Sequence, residues 1–122
     1  MSLLILKAYA QLLRFELYLW HRDFGALYTA VRNEPQRACT PVSSEQICAA
    51  LDMACIWYWK PVLCLQRSAA TTCLLRRNGF PAQMALGAQP VPFRAHAWVE
   101  LFGRVVNDKQ YTPEMYSVLD RC

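Results

Sequence analysis

The sequence predicts an α+β fold in which N-terminal helices are followed by a small antiparallel sheet. Three observations carry that expectation. Apolar residues recur at helical spacing as far as Leu75, the pattern turns to period two beyond Pro81, and helices and strands are segregated along the chain instead of alternating. With 122 residues the chain is long enough for one core and not for two. A single domain is therefore expected over 1–122, with a helical N-terminal part at 1–42 and the core that carries the candidate chemistry at 43–122.

Leu6, Leu13, Leu17, Trp20 and Phe24 mark one or two helices between Leu3 and about Val31, with a break expected near Gly25. The stretch from Asn33 to Pro41, with two prolines and several polar residues, is expected to be a loop or the close of a helical hairpin. Ser43-Ser44-Glu45-Gln46 has the form of a capping box, so a helix is expected from there to about Trp59, with Ile47, Leu51, Ala54 and Tyr58 on one face. Pro61 stops it, because proline lacks the amide proton and disfavours a helical residue before it. Leu65, Ser68, Ala69, Thr72 and Leu75 mark the next helix, whose small residues suit close packing; Arg76 and Arg77 suit its last turn and Asn78-Gly79 its end. Three strands are expected after Pro81, at 83–87, 95–101 and 104–108, the last two forming a hairpin around Gly103.

Composition narrows the function classes. An apolar share of 55% exceeds that of an average soluble domain, and part of the excess is expected to face a partner. The net charge of +4 comes from scattered arginines without a run of like charges, a poor fit to nucleic-acid binding. No stretch is apolar enough for a membrane span. Ala8-Tyr9-Ala10 mimics a cleavage site, yet the apolar run before it is short and nothing basic precedes it, so the expected location is the reducing cytoplasm. The cysteines at 39, 48, 55, 64, 73 and 122 include no C-x-x-C pair and no histidine spaced to complete a zinc site. Neither metal nor cofactor is expected, and most of these thiols read as reduced and buried.

Cys64 follows Pro61 closely and so stands at a helix start, where the dipole and unpaired amides favour a thiolate. Cys73, about two and a half turns on, belongs to the opposite face and to the core. His96 lies on a strand with Trp98 and Glu100 on its own, less buried face, while Ala97, Val99 and Leu101 point into the core. A lone strand histidine is usually an ordinary surface residue; its meaning here depends on its neighbours. Asp108 closes the next strand and faces His96 if the hairpin has its midpoint at Phe102, which requires an odd-membered connection or a bulge.

Cysteine, histidine and aspartate in that order, on a helix start, a strand and the next strand, is the layout of papain-like and transglutaminase-like enzymes. The strings Cys64-Leu-Gln-Arg-Ser68, Leu74-Leu-Arg-Arg-Asn-Gly79, His96-Ala-Trp-Val-Glu100 and Gly103-Arg-Val-Val-Asn-Asp108 resemble the leader peptidases of lasso peptide biosynthesis, over roughly residues 12–108. The resemblance implies a triad of Cys64, His96 and Asp108 in a cysteine peptidase that removes the leader from a ribosomally made precursor peptide. Nothing in the chain resembles the leader-recognition domain of fused versions, so a separate leader-recognition protein is the implied partner, with the lasso cyclase a further one. Its docking surface is expected near the N-terminal helices, at Tyr9, Trp20 and Tyr28. The Cys64 backbone amide would hold part of the oxyanion, and Gln66 and Trp98 are candidates for the second donor. The same triad also serves a transglutaminase-like acyl transferase, and a non-catalytic binding subunit is a third reading.

Overall fold

A computed structural model of the chain describes residues 2–90, 93–106 and 112–122. Helix α1 spans Ser2–Trp20 and α2 spans Phe24–Asn33. The break falls at His21–Asp23, ahead of the expected Gly25, because the Asp23 carboxylate accepts from the Ala26 amide at 3.0 Å and caps α2. Gly25 lies inside the first turn of α2.

α1 turns toward the core a face other than its obvious apolar stripe. Ala8, Leu12 and Phe15 are fully buried with Gln11 and Glu16 beside them, whereas Leu6, Leu13, Leu17 and Trp20 are exposed. Gln11 accepts from Arg14 of the same helix at 3.3 Å, and Glu16 is satisfied by other elements. Glu16 accepts from the Tyr58 hydroxyl at 2.9 Å, Lys60 Nζ at 3.1 Å and Gln66 Nε2 at 3.3 Å. Burial pushes the Glu16 carboxyl up, but these bonds outweigh it and hold the acid below its ordinary value. A lowered carboxylate pKa stabilises the fold above the unfolded value of about 4.3, and the contribution is lost as pH falls through the folded one. Gln66→Leu, which removes a donor from Glu16 and from the Leu12 carbonyl, is expected to cost about 2–3 kcal/mol. In urea melts that deficit should be largest at neutral pH and shrink below about pH 4; a pH-independent deficit would show that Glu16 contributes nothing through its charge.

α3 (Ser44–Trp57) starts with the complete capping box: the Ser43 hydroxyl accepts from the Gln46 amide at 3.2 Å while the Gln46 side chain accepts from the Ser43 amide at 2.9 Å. Ile47, Leu51, Ala54 and Tyr58 are buried, as their spacing predicts. α4 (Cys64–Arg77) packs against α1, α3 and the sheet, with every residue from Ser68 to Arg76 buried. It ends in a Schellman motif, in which Gly79 at φ +92° donates to the Arg76 carbonyl and Phe80 to the Leu75 carbonyl.

Among the described residues the sheet has four strands, one more than expected: β1 (Gln83–Pro90), β2 (Phe93–Leu101), β3 (Arg104–Val105) and β4 (Ser117–Arg121), in the order β3-β2-β1-β4. A one-turn helix, α5 (Thr112–Met115), leads into β4. Ala97, Val99 and Leu101 face the main core as expected. The other sheet face is not bare. Trp98 is fully buried there, and Tyr116 and Val118 pack over it and Ala85.

The hairpin register also differs from expectation. Glu100 pairs with Val105 and Leu101 with Arg104, so the turn is the two-residue Phe102-Gly103 and not an odd-membered connection centred on Phe102. Both turn residues have positive φ, 53° and 79°, the conformation of a type I′ turn that matches strand twist. A β-carbon in that region costs about 1 kcal/mol, and Phe102 is too exposed to recover it by burial. Phe102→Asn, which creates Asn-Gly, is expected to raise stability by about 0.5–1 kcal/mol in denaturant melts. A loss of stability would mean that the ring makes contacts worth more than the backbone strain.

Candidate active site

Cys64 is the first residue of α4 and is solvent-exposed. The N-cap of this helix differs from those of α2 and α3: Leu63, in extended conformation, offers no side-chain acceptor. The leading amides of a helix have no intrahelical partner, so donors are left at the cysteine. Packing of α4 on β2 brings this helix start over the middle of the strand. There Cys64 and His96 line one cavity of about 170 Å³, closed by Leu65, Leu86, Ala95 and Tyr28. The two residues singled out as nucleophile and base thus line the same opening in a mostly apolar wall.

His96 packs against two rings that also touch each other, with the Trp98 and Tyr116 centroids 6.2 Å apart. Tyr116 stacks on it at 5.4 Å between centroids and Trp98 at 6.1 Å, with interplanar angles of 28° and 24°. Its partner across the ladder is Gly87, where a side chain would collide with the Trp98 ring and the Tyr116 β-carbon. The Trp98 indole N–H donates to Glu100 at 3.0 Å, and Arg121 donates to the other carboxylate oxygen at 2.9 Å. Burial pushes the Glu100 pKa up, but the Arg121 and Trp98 bonds bring it below the ordinary value, so the carboxylate that anchors the indole stays charged.

These bonds correct the assignment of the second oxyanion donor. The Trp98 N–H belongs to Glu100, and the Gln66 amide reaches the Leu12 carbonyl at 2.9 Å, Tyr58 at 3.2 Å and Glu16 at 3.3 Å inside the core. Neither side chain lines the cavity. Tyr28, read from sequence only as a possible surface aromatic, does. Burial, reinforced by the acidic groups of Cys122, Asp120 and Cys64, pushes its hydroxyl above the ordinary value, so it stays protonated and able to donate. Asp108 lies outside the described residues, and the two-residue Phe102-Gly103 turn removes the odd-membered connection on which its facing His96 was expected, so the pairing now requires a bulge beyond Val106.

The remaining thiols divide by burial less uniformly than expected. All six are unpaired: Cys73 and Cys122 are buried, Cys48 and Cys55 half-buried, Cys39 and Cys64 exposed. Burial pushes the Cys73 thiol up to about 11, as befits a core residue. Among the described residues no group of three or more His, Cys, Asp or Glu side chains is placed to hold a metal ion.

A family profile described as the transglutaminase-like superfamily matches residues 5–121. The chain belongs to the transglutaminase-like superfamily. That membership accords with the α+β architecture. A second comparison finds the Microcin J25-processing protein McjB of Escherichia coli, 34% identical over 56 residues, which is 46% of this chain and 27% of that protein. The match therefore spans about a quarter of the relative's own length. No solved structure matches significantly. No described helix is long and apolar enough to cross a membrane.

Proposed function

We propose that the chain is a cysteine peptidase that removes the leader from a ribosomally made lasso peptide precursor, acting in the cytoplasm with a separate leader-recognition protein. The observation that carries this reading is the shared cavity of Cys64 and His96 at an uncapped helix start. Similarity to a microcin-processing protein and the sequence resemblance point to the same substrate class.

In the proposed reaction His96 takes the Cys64 proton and the sulfur attacks the scissile carbonyl carbon. The negative charge that develops on the carbonyl oxygen meets the amides at the start of α4. The tetrahedral intermediate collapses, the C–N bond breaks, and His96 returns the proton to the leaving amine. Water, deprotonated by His96, then hydrolyses the thioester and frees the thiol. Asp108 is proposed to fix the imidazole tautomer, its role in the resembling family. Tyr28 is proposed as the second oxyanion donor, because its protonated hydroxyl belongs to the cavity wall. Tyr28→Phe should then lower kcat by about 10²-fold with KM little changed, the loss typical of one oxyanion donor. A rise in KM alone would make Tyr28 a binding residue.

The deciding experiment incubates the chain with the precursor peptide encoded beside it and its recognition partner, followed by mass analysis. Two fragments that sum to precursor plus water support the reading; an intact precursor at every enzyme concentration sinks it. Superfamily membership favours one alternative, acyl transfer from the same thioester to an amine. A free amine in the mixture that captures the acyl group as an amide identifies it.

A further inference from the structure

Along α1 the residues Leu3, Leu6, Ala10, Leu13, Leu17 and Trp20 follow one another at alternating intervals of three and four, the a and d rows of a heptad pattern. All six are exposed, Leu3, Leu6 and Leu17 by 64–66% and Trp20 by 73%, and none belongs to the core of this chain. The helix has 19 residues and is about 28 Å long, enough for nearly three heptads of contact. A seam this narrow and regular is complementary to another helix.

The charges beside the seam say what kind. On one flank, the e row, stand Lys7, Arg14 and His21, each at an interval of seven. Lys7 and His21 are exposed, while the half-buried Arg14 donates to Gln11 at 3.3 Å, lies over the Phe15 ring at 4.9 Å and reaches Glu34 at 3.7 Å. The same residues border two surface grooves of about 410 and 420 Å³, one with Lys7 and Ala10, the other with Arg14, Leu17 and His21. The acids of the opposite flank are engaged inside the chain: Glu16 holds Tyr58 and Lys60, and Asp23 caps α2. The seam therefore presents apolar knobs beside a one-signed basic row.

We infer that the exposed face of α1 docks an amphipathic helix of a second protein, one with an apolar a/d row and carboxylates along the flank that meets Lys7, Arg14 and His21. A second copy of this chain does not fit, because antiparallel pairing sets basic row against basic row and parallel pairing sets it against Tyr9 and the already paired Glu16. A lipid surface fits less well than a helix, since the apolar strip is two residues in seven and the opposite side of α1 is the protein core, not a solvated polar face. The inference does not rest on the proposed reaction; if that reading holds, the leader-recognition protein is the partner expected to bring the helix.

The test uses the full chain and a fluorescent 21-residue synthetic helix with leucine in its a and d rows and glutamate in both flanking rows, compared with the same peptide carrying lysine there. The glutamate peptide should bind at least about tenfold more tightly, a difference built from several small flanking pairs. Leu13→Glu with Leu17→Glu should abolish binding while the melting temperature holds, because both side chains are exposed. Lys7→Glu with His21→Glu should reverse the preference toward the lysine peptide. Equal affinity of the two peptides, or an unreversed preference, overturns the inference. So does self-association at micromolar concentration in sedimentation, or binding to phosphatidylglycerol vesicles without binding to the peptide. Cleavage is not measured, so failure here leaves the peptidase reading to its own experiment.

Discussion

Replacing Cys64 with alanine or serine is expected to abolish leader removal, by a factor on the order of 10⁴ or more, while leaving the fold intact. The proposed nucleophile is exposed at the first position of α4, so truncating it leaves no core cavity. Cys73→Ala is the control on the same helix. Its thiol is fully buried, so loss of the sulfur should cost on the order of 1 kcal/mol in denaturant melts. Turnover should remain near that of the parent chain. The chemistry separates the two thiols further: with its pKa pushed up to about 11, Cys73 holds almost no thiolate at neutral pH. Mild alkylation should therefore label Cys64 and the exposed Cys39, spare Cys73, and eliminate activity in step with Cys64 modification. A Cys73 variant that is folded and dead would transfer the nucleophile's role to the wrong side of this helix and refute the assignment.

What could be read from the chain, and what could not, follows from how local the causes are. The start of α3 was legible because a capping box is complete within four residues, and its buried face because Ile47, Leu51, Ala54 and Tyr58 are apolar at one spacing. The end of α4 was legible because a Schellman motif favours glycine at the residue with positive φ. The buried face of α1 was not. Its core side includes Gln11 and Glu16, and burying Glu16 is favourable only because Tyr58, Lys60 and Gln66, more than forty residues away, supply donors. Apolar spacing alone pointed instead to Leu6, Leu13 and Leu17, which the fold leaves outside. The hairpin parity was hidden for a different reason: Phe102 adopts a positive φ that its side chain disfavours, so nothing in the sequence announced a two-residue turn. β4 escaped because only Val118 in it is even half-buried, which erases the alternation that reveals a strand. The placement of Cys64 on a helix start and of His96 on a strand was legible, and the two line one cavity. Tyr28 was missed because it sits within a short helix, without a motif, and reaches the cavity only through tertiary packing.

Gly87→Ala is expected to damage catalysis more than its single methyl group suggests. Gly87 has no positive φ, so the backbone itself accepts alanine. The obstacle is space. A β-carbon there would stand 2.7 Å from Tyr116 Cβ and 2.8 Å from Trp98 Cη2 and Cζ3, distances that real β-carbons do not tolerate. Neither neighbour can swing away cheaply: Tyr116 Cβ is tied to its backbone, and the indole is fully buried and anchored to Glu100. Overpacking of this kind costs about 1–3 kcal/mol. The two rings that must shift are the ones stacked on His96, so the strain is transmitted to the imidazole that has to reach the Cys64 sulfur. Displacement of a catalytic group by about 1 Å can lower turnover by about 10²-fold, and kcat should fall by that order with KM nearly unchanged. Trp98→Phe deletes the indole atoms that crowd the new methyl group. The double variant Gly87→Ala, Trp98→Phe should therefore be more stable than the two single effects add up to, a coupling that identifies the steric route. Wild-type turnover in Gly87→Ala, together with additive stabilities, would show that the rings yield freely and that His96 takes its orientation from elsewhere.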